Sequence, residues 1–166
     1  MTVVRKNSDA MSDDEIIVEP DYYEIQVTQL WRGRDSRGDV LPLHWEITLR
    51  TSGSHRDPRG YVYQLIGGTD SFTFDRQTNK GIRASQNWRG TFPVGTIPRH
   101  KLRRIEYILA NVPITRHDPS WNCQNWVWEA LRKLKILGFN VNANLTWTGL
   151  QNEMADLLEA WEIGDI

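Results

Sequence analysis

The sequence predicts an α+β fold in which an antiparallel β-sheet packs against helices in a single domain. Two features predict it. Extended runs with a period of two occupy the stretch from Tyr22 to Ile97, and beyond Pro98 the apolar residues recur at helical spacing. At 166 residues the chain can bury roughly 70% of its unfolded surface, so a core forms without a metal or a disulfide.

Taken in order, residues 1–20 are acidic and polar, with Ser8, Asp9, Ser12, Asp13, Asp14 and Glu15 closed by Pro20. They read as a disordered leader, which leaves 21–166 as the domain. Tyr22 to Trp31 (YYEIQVTQLW) alternates as a strand and runs into the turn-rich RGRDSRGD. Leu43 to Thr51 (LHWEITLRT) alternates more cleanly, with His44, Glu46, Thr48 and Arg50 on one face and Trp45, Ile47 and Leu49 on the other. The loop SGSHRDPRG then leads into YVYQLIG, so these two runs form an antiparallel hairpin. Shorter strands are expected at Ser71 to Asp75 and around Thr91 to Ile97.

The first helix carries Leu102, Ile105, Ile108, Leu109 and Val112 on one face and ends before Pro113. Its Arg99, Lys101, Arg103 and Arg104 read as a solvated basic face. A second helix follows in DPSWNCQNWVWEALRKLKILGFN, with Asp118 or Ser120 as N-cap, Lys133 and Lys135 late and Gly138 as the stop. A last amphipathic helix runs from about Thr148 to Trp161.

Composition narrows the function. Lys and Arg number 20 against 21 for Asp and Glu, a net charge of -1, which supplies no global field for nucleic acid or anionic lipid. No apolar run is long enough for a transmembrane segment, and the acidic N-terminus lacks the apolar core of a signal peptide. A single cysteine, Cys123, excludes an internal disulfide and fits a reducing, cytoplasmic setting. No cofactor is implied. The four histidines, His44, His55, His100 and His117, lack the spacing of a helix-borne metal site. Eight tryptophans can fill a core or line a binding surface.

Cys123 sits in the first turn of the second helix, where unpaired N–H groups and the helix dipole favour a thiolate. Its face is shared with Val127, Ala130, Leu131 and Leu134, so it points at the sheet. It is either an inert core residue or, given a base, a nucleophile. His44 is the candidate base because the strand fixes its position. A hairpin loop centred near residue 54 places residue 44 opposite residue 64, so the Gln64 amide can accept from the imidazole and set its tautomer. Glu46, or Asp70 after a slip in register, is the alternative third member.

HWEI at 44–47 on a strand, followed by NCQNWV at 122–127 opening a helix, resembles the permuted papain-like cysteine superfamily, in which histidine precedes cysteine. That group includes lecithin:retinol acyltransferase-like and NlpC-like enzymes and the PPPDE peptidases. The pattern also resembles small fungal proteins with an HWA strand and a WNC helix. The resemblance covers about Tyr22 to Phe139. It implies a permuted papain-like fold with Cys123 as nucleophile, His44 as base and the third polar residue on the YVYQLIG strand. There the family's histidine is replaced by Gln64, which can orient an imidazole but does not balance its positive charge as a carboxylate does.

The expected function is that of a cysteine-dependent hydrolase or acyltransferase, acting on a peptide, isopeptide or acyl ester, a protein among the candidate substrates. Trp45, Trp121 and Trp126 are candidates to line the substrate groove. The competing reading is a catalytically silent papain-like module that binds a protein partner. Nucleic-acid binding through Arg99 to Arg104 is the third and weakest.

Overall fold

The computed structural model describes residues 21–166; the predicted leader, 1–20, lies outside the described residues. Five long strands come first: β1 (Tyr22–Leu30), β2 (His44–Gly53), β3 (Pro58–Ile66), β4 (Thr73–Gly81) and β5 (Trp88–Pro98). A 3-10 turn at Arg99–Lys101 leads into α1 (Leu102–Ala110), followed by α2 (Cys123–Ile136), the two-residue β6 (Asn140–Val141) and α3 (Trp147–Glu162). The strands form one antiparallel sheet in the order β4-β3-β2-β1-β5-β6. The α+β architecture is the one the periodicities predict. The short β6 and the extension of β4 to Gly81 were not expected from the sequence.

The period-two strands divide the sheet into two chemically different faces. Ile25 and Val27 of β1, Trp45, Ile47 and Leu49 of β2, and Tyr63 and Leu65 of β3 join one apolar core with Ile105 and Leu109 of α1, the inner face of α2, and Leu150 and Met154 of α3. The predicted inner face of α2 is the observed one: Cys123, Val127, Ala130, Leu131 and Leu134 are all buried. On the other face Gln26, Thr28, Glu46, Thr48 and Arg50 are buried as well. Buried polar groups are tolerated only when hydrogen-bonded. Thr48 donates to Gln26 Oε1 (3.0 Å), and the Thr28 hydroxyl bridges those of Thr48 (3.1 Å) and Thr91 (2.9 Å). A seam of side chains thus ties the three central strands together.

Three local features place the elements that matter for function. The N-cap of α2 is Asn122, not Asp118 or Ser120: its side chain accepts from Gln124 N (2.9 Å), while Asn125 Oδ1 accepts from Asn122 N (2.9 Å). Asp118 instead closes its own turn on Ser120 just upstream (2.9 Å to the backbone N–H, 2.6 Å to the hydroxyl). The helix ends as expected, with Gly138 at φ +90° after the C-cap Leu137.

The β2–β3 register also differs from expectation. The turn lies further along the chain than expected, pairing Gly53 with Pro58, and after a one-residue shift between Arg50 and Ser52 the ladder reads Thr48↔Val62 and Ile47↔Tyr63, which brings Gln64 level with Glu46 rather than His44. The offset is by an even number of residues, so Gln64 keeps its predicted face. Gly60 sits inside this irregular stretch, and a Cβ there would lie 1.7 Å from the Leu49 carbonyl oxygen.

Gly60→Ala therefore forces two backbones apart and is expected to cost on the order of 3 kcal/mol or more. The check is the urea midpoint of tryptophan fluorescence, which should fall with an unchanged slope.

Candidate active site

The site forms where the sheet splits. β2 stays paired with β1 as far as His44↔Leu30, and β3 stays paired with β4 as far as Ile66↔Thr73, but β2 and β3 part company beyond Ile47↔Tyr63. The mouth of α2 docks at this opening. Gln124 Nε2 donates to the Leu43 carbonyl (2.9 Å), and the Trp45 N–H, at a level where β2 has no β3 partner, lies near enough to the Cys123 sulfur to favour its thiolate. Residue Cys123 is 4% exposed. The His44 side chain lies near enough to the Cys123 thiol for each to shift the protonation of the other.

Behind His44 the network continues across two strands. His44 Nε2 lies 2.8 Å from Gln64 Oε1 and 3.7 Å from Glu46 Oε2. Gln64 Nε2 in turn donates to Asp75 Oδ2 (2.9 Å) on β4, its register partner. A carboxylate can only accept from an amide N–H, so Asp75 fixes which end of the Gln64 amide faces the ring. The oxygen faces His44, Nε2 carries the proton donated to it, and Nδ1 is the nitrogen left for the thiol. Both candidates for the third member are therefore present. Gln64 orients the ring and Glu46 supplies the negative charge that an amide cannot.

The electrostatics follow from these contacts. Burial pulls the His44 pKa down, but hydrogen bonds to Cys123 and Glu46, and the negative charge on both, raise it from its usual 6.5 to about 10. For Cys123, burial pushes the thiol up; the hydrogen bond and charge of His44, the Trp45 N–H and the Arg32 guanidinium together outweigh it and bring the thiol below its usual 9.0. Arg32 is exposed and held by a bond from Nη1 to the Pro42 carbonyl (3.3 Å). Each group thus favours the charged form of the other, the imidazole raised and the thiol lowered, which is the direction that makes a cysteine more nucleophilic.

The remaining predicted residues lie elsewhere. Asp70 is bonded to His117 Nδ1 (2.8 Å) at the surface and takes no part in the site. His55 and His100 are exposed. Among the described residues no group of three or more His, Cys, Asp or Glu is placed to hold a metal ion, and no helix is long and apolar enough to cross a membrane. Trp45, Trp121 and Trp126, expected along a groove, are buried: Trp45 meets Trp147 edge-on (5.9 Å), Trp121 meets Phe72 (5.9 Å) and Trp126, fully buried, tilts against Phe74 (6.0 Å). They wall the site from the core side and offer little surface to a ligand. Asp75 is the residue that the sequence reading missed; its signal is the β3–β4 pairing, which sets it opposite Gln64.

The sign of the pH dependence is fixed by the two shifts. A raised His44 pKa contributes stability that is complete below 6.5 and is lost as pH rises through about 10. A lowered Cys123 pKa contributes stability present above 9.0 and lost as pH falls through the folded value. The charged pair is thus confined to a window that closes near pH 10 on the alkaline side. With one cysteine in the chain, thiolate absorbance at about 240 nm reports it directly. The absorbance is expected to appear below pH 9.0 in the native protein and to move to higher pH in His44→Ala.

A family model described as "Family of unknown function (DUF6540)" matches residues 35–139. No curated protein and no solved structure matches the chain. The matched stretch is more than half of the sequence and contains His44, Glu46, Gln64, Asp75 and Cys123, so the chain belongs to the DUF6540 family.

Proposed function

We propose that the protein is a cysteine-dependent hydrolase or acyltransferase with a permuted papain-like arrangement, acting on a peptide, isopeptide or acyl ester. The observation that carries the reading is the pairing of the Cys123 thiol at a helix mouth with a strand-borne His44 that is itself held by Gln64 and Glu46. The order of the parts in the chain, histidine strand first and cysteine helix later, supports the permuted arrangement. A reduced, cytoplasmic setting suits a free thiol of this kind.

The chemistry follows from the groups present. The Cys123 thiolate attacks the carbonyl carbon, and the C–O π pair moves to oxygen, giving a tetrahedral oxyanion. The Cys123 N–H, the first donor of α2, is the oxyanion donor that the helix mouth offers, reinforced by the positive end of the helix dipole. As the bond to the leaving group breaks, His44 gives that group its Nδ1 proton and becomes neutral, leaving an acyl-cysteine. Neutral His44 then takes a proton from water, or from an acceptor alcohol or amine, whose oxygen or nitrogen attacks the thioester. Collapse expels the thiolate and restores the ion pair. Glu46 stabilises His44 while it is charged, and Gln64 with Asp75 keeps the ring aligned when it is not.

The test is alkylation and acylation of the sole thiol. Iodoacetamide labelling followed by intact mass should be fast at about pH 6, and His44→Ala should slow it there by about 10- to 100-fold, the factor expected for one to two units of thiol pKa. An activated ester should leave a hydroxylamine-sensitive acyl adduct that Cys123→Ala abolishes. Labelling only above about pH 8, with no adduct, would mark an ordinary thiol and favour the silent binding module.

A further inference from the structure

The helical layer carries opposite charge on its two parts. Between residues 99 and 135 the sequence has eight basic and three acidic side chains; between 142 and 166 it has five acidic and none that is basic. In a chain whose net charge is -1 this is a separation rather than an excess. It makes the surface of α1 and α2 positive and that of α3 negative.

The positive surface also bears exposed apolar side chains. Tyr107 and Ile136 are each 73% exposed, and Leu137 is exposed beside them. Ile136 stands between two hollows. One, of about 530 Å³, lies between α1 and α2 with Tyr107, Val112, Pro113 and Ile136 in its walls and Arg132 and Lys133 among its polar groups. The other, of about 490 Å³, is floored by Trp128, Leu131 and Val141 and shares Arg132 and Ile136 with the first. Lone exposed apolar residues are ordinary; a cluster set in hollows whose walls carry Arg132, Lys133 and Lys135 against the single carboxylate of Glu129 marks a docking surface.

The negative surface is its complement. Leu150 and Met154 turn inward on α3, and helical spacing puts Asp156 and Glu159 on the outward side in line with Ile163, which is 67% exposed just beyond the helix.

We infer that the α1–α2 surface docks α3 of a second copy of this chain, with Ile163 entering the hollow between α1 and α2 and Asp156 and Glu159 meeting Arg132 and Lys133. The two patches are different, so the contact is heterologous: a copy that uses one patch keeps the other free, and the product is a ring or an open chain. Apolar burial supplies affinity, and the charges supply orientation and a strong sensitivity to salt. Neither patch includes Cys123 or His44, so association and thiol chemistry are separable.

Sedimentation velocity of the full chain tests this. At about 20 mM salt the weight-average sedimentation coefficient should rise with protein concentration up to ~1 mM, and at about 500 mM salt the rise should shrink markedly. Ile136→Glu removes the receiving patch and Glu159→Lys the entering one; both residues are exposed, so the unfolding midpoints should hold while each variant alone sediments as a monomer. An equimolar mixture of the two should give a dimer and nothing larger, because only one complementary pair of patches survives. A wild-type chain that stays monomeric at every concentration and salt would overturn the inference, as would association unchanged in either variant. A mixture that remains monomeric would overturn it too, since it denies the head-to-tail pairing.

Discussion

A sulfur and an imidazole removed from water cannot each carry a charge alone. In a buried position the neutral forms are favoured, and an isolated ion costs several kcal/mol of lost hydration. In this protein each charge would be favoured by the other: Cys123 and His44 raise and lower one another's protonation, Glu46 favours the cation, and the Trp45 N–H and Arg32 favour the anion. The fold is arranged around that requirement. The β2–β3 ladder stops at Ile47↔Tyr63, which opens room for the mouth of α2 and leaves a backbone donor for the sulfur. Had the pairing run on to His44, the N–H of Trp45 and the space beside it would have been consumed by β3.

The polar face of the sheet explains why the imidazole is held so firmly. Its residues form two sets of partners, the Thr28, Thr48 and Thr91 hydroxyls with Gln26 at the centre of the sheet, and Glu46, Gln64 and Asp75 around His44. Deleting one member leaves its neighbours buried and unsatisfied, so such networks fix side-chain positions more strongly than an apolar face would. Within this frame the work of a single carboxylate is divided. Gln64, locked by Asp75, determines which ring nitrogen faces the thiol, and Glu46 balances the charge. A glutamine in the third position is thereby compatible with an imidazolium.

Much of this was legible in the sequence because it depends on local pattern. The alternation in LHWEITLRT placed His44 and Glu46 on one face, and NCQNWV placed Cys123 in the first turn of a helix pointing at the sheet. What remained hidden depends on partners distant in the chain. The position of the turn, with Gly53 paired to Pro58, leaves no mark on the local pattern, yet together with the one-residue shift between Arg50 and Ser52 it moves Gln64 from opposite His44 to opposite Glu46; the face survived because the net offset is even and side chains alternate with a period of two. Asp75 became relevant only once β4 had paired with β3. Asn122 took the cap from Asp118 and Ser120 because Asn125, three residues on, completes a reciprocal pair of bonds with it. The tryptophans beside the site went to the core because aromatic side chains bury more area there than in a groove.

The most direct measurement is the protonation of the His44 ring, followed by ¹⁵N NMR in protein labelled at histidine, with His44→Gln to assign the signals. Both ring nitrogens should carry protons at about pH 8, and the transition to neutral should fall close to pH 10. In Cys123→Ser, which keeps the shape but removes the anion, that transition should drop. A native His44 that titrates near its usual 6.5, indifferent to the serine substitution, would contradict the ion pair and with it the catalytic reading of the site.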